Sequence, residues 1–158
     1  MQKIVTYLWF DNQAEEAADF YTSLFEDSKV TGVTPHPEGG EGEPGSAMIV
    51  TFQLAGQEFA ALNGGPHFTF TEATSLYVNC EGQEEVDRLW NALIAGGGAE
   101  QPCGWLKDRY GLSWQIIPTA LPRLIGDPDP ARARRVMEAM FKMTKIDIAA
   151  LQAAYDAD

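Results

Sequence analysis

Residues 11–25 read DNQAEEAADFYTSLF and residues 80–94 read CEGQEEVDRLWNALI, and the second stretch repeats the design of the first 69 residues later. Glu15 and Glu16 fall on Glu84 and Glu85, Phe20 and Tyr21 on Leu89 and Trp90, and Leu24 and Phe25 on Leu93 and Ile94. An extended apolar run precedes each copy, Ile4 to Phe10 and Ser75 to Asn79, and turn-rich, strand-like sequence follows each. A strand-then-helix unit that occurs twice in one short chain predicts a duplicated module, with function expected in the cleft between the copies.

Working outward, the aromatic and β-branched run Ile4 to Phe10 predicts a strand, and Asp11 and Asn12 can cap the helix after it. Ala14, Ala17, Ala18, Tyr21, Leu24 and Phe25 recur at helical spacing with acids opposite, the pattern of an amphipathic helix. Lys29 to Pro35 reads as a second strand and His36 to Ser46 as an acidic loop of turn formers. Met48 to Leu54 and Glu58 to Leu62 then predict a hairpin through Ala55-Gly56-Gln57. The second copy repeats this βαβββ order: strand Ser75 to Asn79, helix Gln83 to Ala95 ended by Gly96-Gly97-Gly98, short strands within Glu100 to Leu106, and strand Ser113 to Ile117. Beyond it, Ala120 to Ile125, Ala131 to Lys142 and Ile146 to Tyr155 read as three helices, with Asp129-Pro130 marking one start. The fold class predicted is α+β: two βαβββ modules with mixed, curved sheets forming a cleft, at residues 1–66 and 67–118, plus a C-terminal helical extension at 119–158.

Composition narrows the function. With 158 residues and 45% apolar content the chain can bury a sizeable core. A net charge of −12 argues against nucleic acid or an anionic membrane as partner, because binding polyphosphate relies on Lys and Arg releasing counterions. Arg132, Arg134 and Arg135 form the one dense basic cluster and read as a solvated helix face paired with local acids. No run reaches the ~18 apolar residues that a membrane span needs, and MQKIVTYLWF enters a strand without a basic leader, so the expected location is cytoplasmic. Two cysteines, Cys80 and Cys103, are too few for a disulfide framework or a structural zinc site. No glycine-rich dinucleotide turn or P-loop is present.

The chain resembles the vicinal oxygen chelate superfamily of glyoxalases, extradiol dioxygenases and bleomycin-resistance proteins. Within it the likeness is to the PhnB-like group, labelled 3-demethylubiquinone-9 3-methyltransferase domains. The residues that carry it are Leu62 to Pro66, Ser75 to Cys80 leading into Asp87 to Trp90, Cys103-Gly104-Trp105, and Asp108 to Gln115. In that superfamily four positions facing the cleft can hold a divalent metal. Carried over by the repeat, they fall on Thr6 and Ser75 in the opening strands and on Ala60 and Gln115 in the closing strands. None is the imidazole or carboxylate that suits iron, nickel or zinc, so neither a metal nor another cofactor is expected. Nor is the methyltransferase label supported, since methyl transfer of that kind belongs to doubly wound parallel sheets rather than repeated βαβββ units.

His67, after Gly64-Gly65-Pro66, and Gln115 are the candidates for catalysis. Trp9, Asn63, Cys103, Trp105, Trp114 and Gln115 are the candidates for ligand binding, with Trp114 as the main pocket wall. Glu58, Asp108 and Arg109 read as turn and surface charges. The function expected is metal-independent binding, or conversion, of a small organic molecule by a homodimer. A metal-dependent glyoxalase or dioxygenase, and a dimerisation or regulatory module with a filled cleft, stand as the alternatives, and the sequence leaves open whether the chain is an enzyme.

Overall fold

Parallel pairing between the first and last strand organises each half of the computed structural model, which describes residues 2–158. The chain divides into two compact units, Met1–Thr69 and Phe70–Asp158. In the first, β1 (Thr6–Phe10), α1 (Ala14–Thr22), β2 (Lys29–Pro35), β3 (Ala47–Leu54) and β4 (Gln57–Asn63) build a mixed sheet in the order β1-β4-β3-β2. The second repeats the plan with β5 (Ser75–Cys80), α2 (Gln83–Ile94), β6 (Ala99–Glu100), β7 (Trp105–Lys107) and β8 (Ser113–Pro118), in the order β5-β8-β7-β6. The α+β class and the duplicated βαβββ order are therefore as the sequence predicts.

Each helix covers one face of its own sheet. Ala14, Ala17, Ala18 and Tyr21 of α1 are fully buried, and the three alanines let the helix lie close to the strands. Tyr21 meets Phe52, which stacks on its cross-strand partner Phe59 at 5.6 Å between ring centres, the kind of aromatic pair that adds about 0.5–1.5 kcal/mol beyond its buried area. In α2 the same stripe is Val86, Leu89, Trp90 and Leu93, and the Trp90 indole N–H donates to Glu100 Oε1 at 2.8 Å. The β3–β4 hairpin turns on Ala55 and Gly56, both at positive φ (47° and 83°), the handedness a two-residue turn needs to match the strand twist.

The register corrects one detail of the repeat. Three residues connect β1 to α1, and only Glu81 and Gly82 connect β5 to α2, so the helices repeat after 69 residues but the opening strands after 70. Thr6 lies in the row of Phe59 and Phe52, on the face that α1 covers. Ser75 instead accepts from Gln115 Nε2 at 2.9 Å, whereas Cys80, five residues on, faces α2 with Glu85 as its charged neighbour. Thr6 and Ser75 therefore lie on opposite faces. The equivalent positions turned away from the helices are Tyr7 and Tyr77 in the opening strands, paired with Ala60 and Gln115 in the closing ones.

Three readings of the second unit also change. Asp108 is 2% exposed and not a surface charge. Its carboxylate accepts from the backbone N–H groups of Tyr110 and Leu112 and from the Trp114 indole at 2.9 Å, fixing the loop between β7 and β8. The extension forms α3 (Ala120–Ile125), α4 (Pro130–Met140) and α5 (Ile148–Asp156), so Lys142 and Ile146, predicted as helical, fall outside the helices that form. Asp129 and Asp147 cap α4 and α5. Leu121, Leu124, Val136, Ile146 and Leu151 cluster with Ile117 of β8, so the extension belongs to the second unit's core. Arg135 donates to the last carbonyls of α5, Ala154 O and Tyr155 O, rather than to an acid. No helix of the described residues is long and apolar enough to cross a membrane.

Replacing Asp108 by Ala would strand a buried indole N–H and two backbone amides. We expect Asp108→Ala to lose about 2–4 kcal/mol of stability in urea unfolding. An unchanged midpoint would show that Asp108 does not anchor this loop.

Candidate functional site

The first unit holds a cavity of about 760 Å³ where β1 and β4 end, beside the start of α1 and under the loop between β2 and β3. Its apolar wall includes Trp9, Met48 and Leu62. The loop is closed at its base by His36 N–H donating to Ser46 O at 2.7 Å and Gly45 N–H donating to His36 O at 3.1 Å. On the other side β4 runs on past its end: Gly64 N–H donates to Phe10 O at 2.9 Å and Gly65 N–H to Asp11 O at 3.2 Å.

Trp9 is the fixed point of this wall. Its indole N–H donates to Gly65 O at 2.9 Å, Phe68 meets it edge-on at 4.9 Å, and His67 lies at 6.4 Å in the same T-shaped sense. Gly64 makes the packing possible, because a Cβ there would run into the indole ring. Asn63 is a strut: its Oδ1 accepts from Ala14 N–H at 2.9 Å, capping α1, and its Nδ2 donates to Ala47 O at 3.0 Å. Both ends of its amide are thus engaged inside the protein while the residue borders the cavity.

His36 and His67, the two histidines of the chain, both line this cavity. The charged groups around it are Asp11, Glu15, Glu41 and Glu43, and no Lys or Arg borders it. Even so, among the described residues no three His, Cys, Asp or Glu side chains are placed to hold a metal ion. Of the positions that the resemblance gives for a metal, Thr6 and Ala60 lie in the first unit and Ser75 and Gln115 in the second; none is an imidazole or carboxylate, and neither are Tyr7 and Tyr77, the opening-strand positions paired with Ala60 and Gln115.

Of the residues predicted for the site, the first unit thus brings Trp9, Asn63 and His67 together. The other four lie in the second unit. Trp105 and Gln115 are cross-strand partners on the face away from α2, next to the half-exposed Tyr77. Trp114, one residue from Gln115, points to the opposite face, is 1% exposed and bonds Asp108. A pocket wall made of both is excluded by the strand alternation. Cys103 takes a left-handed conformation (φ 64°) in the Pro102–Gly104 turn and its N–H donates to Met143 O. Cys80 is fully buried, and burial, reinforced by the nearby Glu85, pushes its thiol up to about 12. Asp11, Glu15, Glu41, Glu43, Met48 and Leu62 also border the cavity and are not among the sequence-derived site candidates, nor is His36, which the sequence offers only as a second imidazole beside His67. The signal for His36 was there, in that both histidines flank segments that end at the same edge of one module.

Residues 2–117 match the model of the 3-demethylubiquinone-9 3-methyltransferase family. A PhnB protein from Bacillus cereus is 42% identical, with a TM-score of 0.69 over 75% of this chain and 100% of its own. A protein from Pseudomonas aeruginosa shares the fold at 22% identity, with a TM-score of 0.61 over 75% of this chain and 98% of its own. A glyoxalase/bleomycin resistance protein from Albidiferax ferrireducens is similar at 17% identity and a TM-score of 0.44, over 69% of this chain and 92% of its own. No curated protein matches the sequence.

Two outcomes follow from this geometry. Gly64→Ala should push the Trp9 indole off Gly65 O and move its N–H resonance, while the other three indole signals stay in place; an unmoved Trp9 signal would mean the ring is not held as described. With its thiol pushed up to about 12 by burial, Cys80 stays protonated at pH 8. Native protein at pH 8 should therefore resist alkylation at Cys80, and mass mapping that finds it modified without unfolding would contradict its burial.

Proposed function

Because the chain belongs to the PhnB-like 3-demethylubiquinone-9 3-methyltransferase family, we propose that it works as that fold's small-molecule receptor, binding an organic ligand without a metal. The observation that carries this reading is the first-unit cavity, whose apolar wall of Trp9, Met48 and Leu62 sits beside a few polar groups, the composition of an organic-ligand pocket. At about 760 Å³ it is within the range of pockets that enclose small ligands. Donor chemistry supports the metal-free part: none of Thr6, Ser75, Ala60 and Gln115, which the resemblance gives for a metal, nor Tyr7 or Tyr77 beside them, is an imidazole or carboxylate.

Methyl transfer draws no support from the fold, since both sheets are mixed and are built from repeated βαβββ units rather than as one doubly wound parallel sheet. The Cys80 thiol is buried and held protonated, so it offers no nucleophile near neutral pH. Trp9 is the residue on which binding rests. His67 lies against it as the neighbouring polar contact, and Asn63 acts by holding α1 and β3 in place.

Elemental mass spectrometry of the untagged protein, paired with thermal unfolding with and without added divalent ions, tests the metal-free reading. We expect less than stoichiometric metal and an unmoved melting temperature. One bound ion per chain with a raised melting temperature would overturn it in favour of a metal-dependent glyoxalase or dioxygenase.

A further inference from the structure

The duplicated units finish the same strand ends in different ways. By the ladder registers, Leu62 and Asn63 of β4 correspond to Ile117 and Pro118 of β8, Met48 of β3 to Pro102, and Ala14 of α1 to Gln83 of α2. In the first unit these positions border the cavity or its struts, and the loop between β2 and β3 covers it. In the second unit the chain's own segment from Met143 to Ile148 occupies the matching place.

Four hydrogen bonds stitch that segment in. Cys103 N–H donates to Met143 O and Gly104 N–H to Thr144 O; Gln83 Nε2 donates to Ile146 O at 2.9 Å and its Oε1 accepts from Ile148 N–H at 2.8 Å. Ile146 is fully buried against Ile117. Gly104 leaves room for it, since a Cβ there would press on Ile117 Cδ1 and Ile146 Cγ1. The second unit thus displays the kind of group this framework encloses, a branched aliphatic side chain beside a hydrogen-bonded polar group.

The electrostatics of the first unit add the other half of the ligand. Asp11 and Glu15 stand at the positive end of α1, where carboxylates are favoured in any helix. Glu41 and Glu43 come from the facing loop and have no such role. With no Lys or Arg in the lining and an indole in the wall, the surroundings suit a positive charge next to an apolar body. We infer that the first-unit cavity takes a small organic ammonium ion carrying a branched aliphatic group, one per chain, its twin in the second unit being filled by Ile146. The inference rests on the small-molecule reading above and specifies its ligand class.

Three probes of one shape and different charge test it: isoamylamine, isoamyl alcohol and isovalerate, titrated into the full chain and followed by proton–nitrogen correlation spectra. The Trp9 indole and the Gly65 amide should move with the amine at lower concentration than with the alcohol, and least with isovalerate, while the Ile146 amide stays still. The E41Q/E43Q variant, changed only on an exposed loop, should weaken amine binding by about fivefold, the size of one or two partly screened ion pairs. Equal response to amine and alcohol, preference for isovalerate, or unchanged amine binding by E41Q/E43Q would overturn the charge assignment and leave the cavity as a neutral receptor. Shifts at Ile146 that saturate like those of Trp9 would overturn the single-site count. If none of the three probes moves Trp9, the cavity takes no branched aliphatic molecule of this size and the inference is overturned, whereas the broader small-molecule reading would fall only if a chemically diverse set of organic ligands also left Trp9 unmoved.

Discussion

Everything else in each unit follows from the parallel ladder between its opening and closing strands, β1 with β4 and β5 with β8. Parallel neighbours cannot be joined by a tight turn, so the chain must cross over between them. Here the crossover is a helix followed by two strands, which lays the helix on one sheet face and leaves the other without it. Burying Ala14, Ala17, Ala18 and Tyr21 in one copy, and Val86, Leu89, Trp90 and Leu93 in the other, satisfies that single covered face. The strand ends next to the helix N-terminus are left for something else to close.

How those ends are closed distinguishes the two units. A long acidic loop bridges the first, held at its base by His36 and Ser46, and it leaves a cavity with an indole wall. In the second the link between β6 and β7 is a short turn at Pro102–Gly104, and the C-terminal extension supplies the cover together with the side chain that fills the space. Duplication provided two equivalent frames, and loop length together with an added tail made them unequal.

Burial of polar groups follows the same logic. Asp108 belongs to a loop of five residues that must return β7 into β8, and the loop's amides need acceptors once they leave solvent. One carboxylate serves two amides and the Trp114 indole, which turns an acid in a glycine-containing turn into a core residue. Asn63 does comparable work in the first unit by capping α1 from a neighbouring strand. Neither role could be read from local sequence, because Asp at the start of a turn and Asn before Gly are just as common in exposed turns.

The sequence by itself determined the fold class, the repeat and the order of elements, since the period of apolar residues is a local property that survives without knowledge of partners. It also marked Trp9 on the opening strand, and Asn63 and His67 on either side of the Gly64-Gly65-Pro66 break, as site candidates. Tertiary structure alone decided the faces. One residue fewer between β5 and α2 shifts the strand repeat from 69 to 70, and with side chains alternating along a strand that single step moves Ser75 to the face opposite Thr6 and makes Tyr7 and Tyr77 the true counterparts. By the same alternation Trp114 goes to the core while Gln115 does not. Which segment closes each strand end, the acidic loop or the tail with Ile146, depended on contacts between residues far apart in the chain, and no local pattern encodes those.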